Sequence, residues 1–340
     1  MQQFARLADA RLDSVRRDEH RGCCGGLLSV GHTKQCRPID LPTRTCSQIF
    51  VLLALLLCAA PPIAAETASK SHLDQRIVDG ARMLAGTPRF AGVPAPELER
   101  HVEFVVGNTL FVLGHETGHA LISEMGIPVL GHEENAADVF STLMALKVGD
   151  AFSDRALTNV ARGWFLSDRR DRAQGVKTVY YDEHGLDLKR AYAVVCLMVG
   201  GAPDKFAALA DEVKMPPERQ GSCQADYSNA SWSWDKVLKP HRRTSDQPKT
   251  KIEVNYASSN AEHDMLAEIS KKLRILETAA EHLSDEYVWR APIALEMQTC
   301  GDPGARWDLS LKKVIICYEI IADFGQLDRM YGHLKAVAKE

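Results

Sequence analysis

The chain has 340 residues, of which 45% are hydrophobic and 25% are charged. This composition is typical of a folded globular protein and excludes a mainly disordered, collagen-like or coiled-coil chain. The formal net charge is −4; eight basic and five acidic side chains lie in residues 1–48, which leaves 33 basic and 40 acidic side chains for the rest. Because an acidic chain without a basic run has little attraction for a phosphate backbone, we expect no nucleic-acid partner.

An apolar segment, residues 49–60, contains twelve uncharged and mostly aliphatic residues. A membrane-spanning helix needs ~20 such residues, so we expect no stable transmembrane anchor. Arg44 precedes the segment and Ala64–Ala65 follow it, an order typical of a secretory signal with an apolar core of ~7–15 residues. The alternative is a short buried helix. We predict that residues 49–65 are a signal peptide and that the protein is secreted or periplasmic after its removal.

The chain outside this segment divides into three further parts. Residues 1–48 are predicted to be an N-terminal extension, and we hypothesise that translation begins later than Met1. Residues 66–240 are predicted to form the main domain and residues 251–340 a C-terminal α/β subdomain, with a polar, charged segment between them. This division places the chemistry in the larger, central part of the chain.

Four of the nine cysteines lie beyond the predicted signal peptide: Cys196, Cys223, Cys300 and Cys317. An even number of cysteines in an exported chain predicts two disulfides. Three pairings are possible, and we favour Cys196–Cys223 and Cys300–Cys317 because these pairs close the shorter loops. The alternative is four buried thiols. The absence of a C-x-x-C pair argues against a cysteine zinc site.

Hydrophobic periodicity and turn residues predict a mainly α fold with a few strands. One long helix is indicated by a proline and three glutamates at its start and by a Gly-Ile-Pro sequence at its end. The predicted helices cover residues 71–84, 97–124, 133–148, 154–166, 188–199, 203–212 and 261–283, and the predicted strands cover residues 252–256 and 314–318, with a final helix after the second strand.

The central motif is H-E-x-x-H, formed by His115, Glu116 and His119 within an apolar stretch of the long helix. Residues four apart project from one face of a helix, so the two imidazoles can bind one Zn²⁺. Glu116 is rotated by ~100° from His115 and flanks the metal, where it can act as general base. The alternative is a pair of partly exposed histidines, which a buried-looking helix disfavours. Gly114 and Gly118 indicate that another segment packs closely against this helix.

The third zinc ligand is predicted in the next helix, at Glu134. Asp138 lies one turn further on the same face, where it can accept the outer N–H of a ligating histidine. Glu133 and His132 compete for the ligand position, but Glu133 has Ala137 one turn beyond it. The alternative is a solvated acidic helix start, in which Glu133 and Glu134 only favour the helix dipole.

These motifs resemble the thermolysin-like gluzincin metallopeptidases, in which H-E-x-x-H is followed by E-x-x-x-D. Residues 107–140 most resemble a bacterial exported family described only as "putative metallopeptidases", and residues 182–187 and 196–240 also look like that family. The resemblance implies a zincin-like active-site helix packed against a second, ligand-bearing helix. It also implies His115, His119 and Glu134 as zinc ligands, Glu116 as general base and Asp138 as support for a histidine.

We therefore expect residues 66–240 to form a zinc metallopeptidase-like domain that acts on a peptide or protein. Peptidases of this type use a Tyr or His to stabilise the oxyanion, and the candidates here are Tyr180, Tyr181 and His184. We favour His184, although a surface histidine is the simpler interpretation. Two alternatives are a zinc-stabilised binding protein without catalytic activity and a zinc amidase that cleaves a cell-wall amide. Turnover that depends on Glu116 distinguishes the first alternative, and the substrate profile distinguishes the second.

Overall fold

Helices dominate the structure, and the predicted mainly α fold with a few strands is confirmed. The computed structural model describes residues 72–177, 185–257 and 260–331, all within one compact unit, Glu66–Glu340. The predicted N-terminal extension, the predicted signal peptide and the three oxyanion candidates, Tyr180, Tyr181 and His184, lie outside the described residues. The division between residues 66–240 and 251–340 stays a prediction.

The described residues contain ten α-helices and four strands. The helices are α1 (His72–Ala85), α2 (Ala95–Met125), α3 (Glu133–Val148), α4 (Ala151–Ala173), α5 (Asp187–Gly201), α6 (Pro203–Glu212), α7 (Pro217–Leu238), α8 (Ala261–Leu273), α9 (Ile275–Glu286) and α10 (Tyr318–Tyr331). The strands are β1 (Glu253–Tyr256), β2 (Ala294–Gln298), β3 (Ala305–Asp308) and β4 (Lys313–Cys317). No helix of the described residues is both long and apolar enough to cross a membrane.

Several boundaries match the prediction and one predicted helix is wrong. Helices α3 and α6 begin and end where predicted. The single helix predicted over residues 261–283 is instead two helices, because Arg274 adopts a left-handed conformation (φ 55°) and its N–H caps α8. Helix α7 and strands β2 and β3 were not predicted. Helix α7 contains four serines, one asparagine and one glycine, which have low helix propensity, and tertiary contacts with α5 stabilise it.

Helix α2 is the central element of the fold. It begins after Pro94, with Pro96 and Glu97 in its first turn, and it ends at Gly126, whose left-handed backbone (φ 64°) donates its N–H to the Ile122 carbonyl. Most of its length is buried, because it contacts α1, α3, α4, α10 and the strands β3 and β4. A helix that is covered on several faces needs apolar or small residues all round, and this explains why α2 lacks a clear polar face.

Glycines on α2 let α3 approach closely. A Cβ atom at Gly114 would lie 2.5 Å from Ser141 Oγ, and one at Gly118 would lie 3.0 Å from Ala137 Cα. The predicted close packing of another segment against these glycines is confirmed, and α3 is that segment. The hydroxyl of Ser141 donates a hydrogen bond across the contact to the Phe111 carbonyl (2.8 Å). This contact sets the distance between the motif-bearing helix and the carboxylates of α3.

The four strands form one sheet in the order β1-β2-β4-β3. Strands β1, β2 and β4 are parallel, and β3 pairs with β4 in antiparallel orientation at one edge. One face of the sheet is apolar and fully buried, and it belongs to the same hydrophobic core as α2. Its central side chains are Leu295, Met297, Val314 and Ile316. Strand β3, at the edge of the sheet, contacts α2.

Both predicted disulfides are present in the structure. Cys196–Cys223 joins α5 to α7, and Cys300–Cys317 joins the segments that follow β2 and end β4. Each pair closes a short loop, with sequence separations of 27 and 17 residues. The first disulfide ties α7 to α5, and the second ties two neighbouring parallel strands at their carboxyl ends.

The close contact of α2 and α3 predicts opposite effects for two Gly→Ala substitutions in helices. Gly114→Ala should lower the free energy of unfolding by about 1 to 3 kcal/mol, because its Cβ would displace the Ser141 hydroxyl. Gly221→Ala should raise it by up to ~1 kcal/mol, because no atom lies near that position and alanine favours the helix. Urea unfolding monitored by circular dichroism measures both. An equal gain in stability from both substitutions would contradict the close contact.

Candidate metal centre

Three side chains from α2 and α3 converge on one point. His115 Nε2 and His119 Nε2 lie 3.1 Å apart. Glu134 places Oε2 3.1 Å from His115 Nε2 and Oε1 3.3 Å from His119 Nε2. Among the described residues, one other group of three possible metal ligands lies close together: Cys300, Cys317 and Glu319. Its two cysteines form a disulfide, so they are not free to bind a metal. The two predicted histidines and the predicted glutamate are therefore brought together.

The spacing of these donor atoms fits a tetrahedral metal ion. A metal bound at 2.0–2.1 Å to two imidazoles and one carboxylate separates neighbouring ligand atoms by ~3.3 Å. The three measured separations, 3.1, 3.1 and 3.3 Å, are close to this value. Two nitrogens and one carboxylate oxygen are also ligands that Zn²⁺ accepts. The donor set therefore suits a divalent metal ion with one coordination position left for water or substrate.

The outer nitrogen of each histidine is held by a carboxylate. His115 Nδ1 lies 2.8 Å from Asp138 Oδ1, and His119 Nδ1 lies 2.8 Å from Glu133 Oε1. Because an ionised carboxylate can only accept, each Nδ1 carries a proton that it donates. When a metal ion displaces the proton from Nε2, each Nε2 directs its lone pair at the point where the donors converge. This is the histidine tautomer that metal binding requires.

Arg190 fixes the carboxylate that supports His115. Its Nε donates to Asp138 Oδ2 (2.7 Å) and its second nitrogen donates to Asp138 Oδ1 (2.6 Å), which forms a bidentate pair. The guanidinium also stacks on the ring of Trp164, with 3.9 Å between Cζ and the ring centroid. Both members of the ion pair are nearly buried, at 10% and 11% side-chain exposure. Buried charges of this kind persist only when they are paired and hydrogen-bonded, as they are here.

Glu116 lies beside the donor cluster without belonging to it. The residue is only 8% exposed. Burial raises the pKa of its carboxyl, while the charges of His115 and His119 and a hydrogen bond from the Trp307 backbone N–H oppose that rise. A buried carboxylate that is not a ligand is costly, so its position next to the two histidines indicates a role other than holding the metal.

Opposite charges dominate the electrostatics of the cluster. Burial alone would lower the pKa of His115, but hydrogen bonds to Asp138 and Glu134 outweigh it and raise the pKa to about 9. Burial would raise the pKa of Glu134, but its bonds to both histidines hold the pKa far below its usual value. A divalent cation at this point competes with the histidine protons for the same atoms, so metal binding releases protons.

An apolar cavity of about 370 Å³ lies on a different side of α3. Asn135, Ala136 and Val139 line it, together with the α2–α3 loop and the α7 side chains Trp234 and Val237. These α3 residues are rotated by roughly 100–200° from Glu134 around the helix. The cavity is therefore separated from the metal-binding side chains by α3 itself.

Two contacts of the candidate site were not predicted from the sequence. Glu133 competes for the ligand position in the sequence, but it holds His119 Nδ1 instead. Arg190 carries only a weak signal, a cation in the first turn of a helix, where the helix dipole disfavours positive charge. His132 begins α3 and lines the cavity without joining the cluster.

The geometry predicts a graded loss of metal affinity from three conservative substitutions in α3. Glu134→Gln should weaken Zn²⁺ binding by more than about 100-fold, because it removes the anionic ligand. Asp138→Asn should lower the Zn²⁺ affinity by ~100-fold, and the more exposed Glu133→Gln should lower it by ~10-fold. Each of these substitutions removes only the support of one histidine. Competition with a chromophoric chelator measures all three. A larger loss for Glu133→Gln than for Glu134→Gln would contradict the ligand assignment.

Arg190 provides a second test with a matched control. Arg190→Gln should weaken Zn²⁺ binding by ~10- to 100-fold, since Asp138 then no longer holds the His115 ring in a fixed orientation. The Zn²⁺ affinity of Arg190→Lys should lie between those of Arg190→Gln and the wild type, because lysine keeps the charge but not the bidentate geometry. The control is Arg162→Gln, which removes an exposed ion pair to Glu212 and should leave metal affinity unchanged. Equal affinity in Arg190→Gln and Arg162→Gln would rule out this role.

Comparison with known proteins agrees with this geometry. Residues 87–238 match the sequence model of the family DUF4344, whose description reads "Putative metallopeptidase". The matched region contains α2 to α7 and so includes both histidines, Glu116, Glu134 and Arg190. No curated protein and no solved structure matches the chain significantly. The central part of the chain is thus similar to a family described as metallopeptidases, which supports a metal-dependent hydrolase.

Proposed function

We propose that the protein is a zinc-dependent peptidase in which His115, His119 and Glu134 hold the metal and Glu116 is the general base. The buried position of Glu116 beside a three-donor cluster carries this proposal. A structural zinc site closes its coordination with four protein ligands, whereas a catalytic site uses three and keeps one position open. A purely structural site also does not require a buried glutamate that is not a ligand, and burial of such a carboxylate is costly.

The protein side chains supply three parts of the reaction. Zinc, when bound, supplies Lewis acidity, which polarises a carbonyl group and makes a water molecule more acidic. Glu116 accepts the proton of the attacking water and later donates it to the leaving nitrogen. Asp138 and Glu133 keep both imidazoles in the tautomer that directs Nε2 at the metal. Arg190 keeps Asp138 ionised and oriented, so that His115 does not rotate away.

The substrate class follows from the family similarity and from the chemistry of the site. A peptide or protein substrate is the proposal that the description of the matched family supports. Two disulfides and the predicted signal peptide support action outside the cytoplasm, in the periplasm or the medium, because disulfides persist in oxidising compartments.

Removal of the proposed base should abolish turnover without removing the metal. Glu116→Gln should lower kcat by at least ~100-fold, because general-base assistance contributes on this order. The effect should fall on kcat more than on KM, since the base acts in the chemical step. Cleavage of a quenched fluorescent peptide library measures turnover, and elemental analysis measures the bound zinc.

The control is Glu103→Gln, which neutralises another glutamate of α2. Glu103 pairs with Arg155 away from the cluster, so this variant should keep both zinc and turnover. Wild-type turnover in Glu116→Gln would contradict the mechanism. Stoichiometric zinc with no cleavage of any library peptide by the wild type would contradict the peptidase proposal.

A further inference from the structure

The apolar cavity beside α3 is built by three elements that hold one another in place. Its walls are one face of α7, one face of α3 and the loop of residues 127–132. The ring of Trp234 on α7 packs against the ring of Phe140 on α3, with 5.0 Å between the ring centroids. The N–H of Ile127 donates to the Ile122 carbonyl (2.9 Å), which fixes the loop to the end of α2. The cavity is therefore preformed, as ligand-binding cavities usually are.

The side chains around the cavity suit an apolar occupant. Among the described residues that line it, none is Asp, Glu, Lys or Arg, and the polar side chains are those of His132, Asn135 and Ser233. These three residues are exposed and so belong to the rim of the cavity. Leu130, which also lines the cavity, is fully exposed. An apolar group in the cavity would remove this leucine and the apolar walls from water, which is favourable.

The first turn of α3 connects the metal centre with the cavity along the protein surface. Glu133, which bonds to His119 Nδ1, has a side chain that is 48% exposed. His132 precedes it and Asn135 follows two residues later; both are exposed and both line the cavity. An exposed surface therefore runs from His119 over the start of α3 to the rim of the cavity. A helix is ~10 Å across and an extended peptide spans ~3.4 Å per residue, so about three residues cover this path.

We propose that the cavity binds one large apolar side chain of the peptide substrate, about three to four residues from the scissile bond. This inference deepens the proposed function and rests on it, because it concerns a substrate of the same metal centre. Helix α3 stands between the cavity and the metal-binding side chains, so the cavity does not hold the side chains that flank the cleaved bond. The substrates that fit are peptides with an aromatic or long aliphatic residue at this distance.

Fluorine nuclear magnetic resonance tests binding without reference to cleavage. Labelling with 5-fluorotryptophan gives five signals from the chain, and Trp234→Phe assigns the signal of Trp234. The sample is the zinc-loaded Glu116→Gln variant, and the probes are Gly-Ser peptides in which one serine is replaced by phenylalanine. We expect these peptides to shift the Trp234 signal more than the other four signals, and the all-Gly-Ser peptide to leave it unchanged. A Trp234 signal that stays unchanged throughout the titration overturns the inference.

Kinetics then tests whether the cavity selects substrates. In a quenched fluorescent library, the wild type should prefer phenylalanine over serine at the proposed distance by ~10- to 100-fold in kcat/KM, the effect of burying one large apolar side chain. Ala230→Phe fills the cavity from α7 and should abolish this preference, and Leu130→Ser should weaken it by severalfold. The control is Val148→Ser, which removes an exposed apolar side chain at the far end of α3 and should keep the preference. Zinc affinity should be unchanged in all three variants.

The outcomes separate this inference from the proposed function. A shift of the Trp234 signal without cleavage of any peptide by the wild type contradicts the peptidase proposal, while the binding of an apolar side chain in the cavity stands. Cleavage without a preference at the proposed distance, or with a preference that Ala230→Phe leaves intact, overturns this inference alone. If Ala230→Phe does not fold, Leu130→Ser decides, because the fully exposed Leu130 side chain is not needed for folding. Equal preferences in Leu130→Ser and Val148→Ser then overturn the inference.

Discussion

The close contact between α2 and α3 is the constraint on which the site depends. Gly114 and Gly118 remove two side chains from α2, and this brings the backbone of α3 against the helix that carries both histidines. At that distance Glu134 reaches both Nε2 atoms and Asp138 reaches His115 Nδ1. A larger residue at either glycine would move the carboxylates away from the imidazoles. The packing distance between the two helices therefore determines the geometry of the donor atoms.

Burial of so many charges is possible because each has a partner. Carboxylates and imidazoles alternate across the cluster. Beyond Asp138, Arg190 adds a positive charge, and the ring of Trp164 stacks on its guanidinium. Buried ion pairs seldom add net stability, since the desolvation cost is close to the Coulombic gain. Their benefit here is geometric, because each carboxylate fixes one ring and one tautomer. These ion pairs therefore add little to the free energy of unfolding, but they prevent the imidazoles from rotating.

Much of this site could be predicted because it is local in sequence. The four-residue spacing of His115 and His119 and that of Glu134 and Asp138 follow directly from the helical repeat, and the glycines indicated a close neighbour. The contacts that were missed are either non-local or depend on tertiary structure. Arg190, for example, lies on a third helix, α5. The break at Arg274 was missed because arginine rarely adopts a left-handed conformation.

In the proposed site, one zinc ion is bound by His115, His119 and Glu134. Anomalous diffraction from crystals of the purified protein, recorded on both sides of the zinc absorption edge, tests this most directly. We expect one strong zinc peak within ~2.0–2.2 Å of both Nε2 atoms and of a Glu134 oxygen, with Asp138 and Glu133 still bonded to the Nδ1 atoms. A zinc peak elsewhere, or zinc-loaded crystals in which His115, His119 and Glu134 bind no metal, would contradict it.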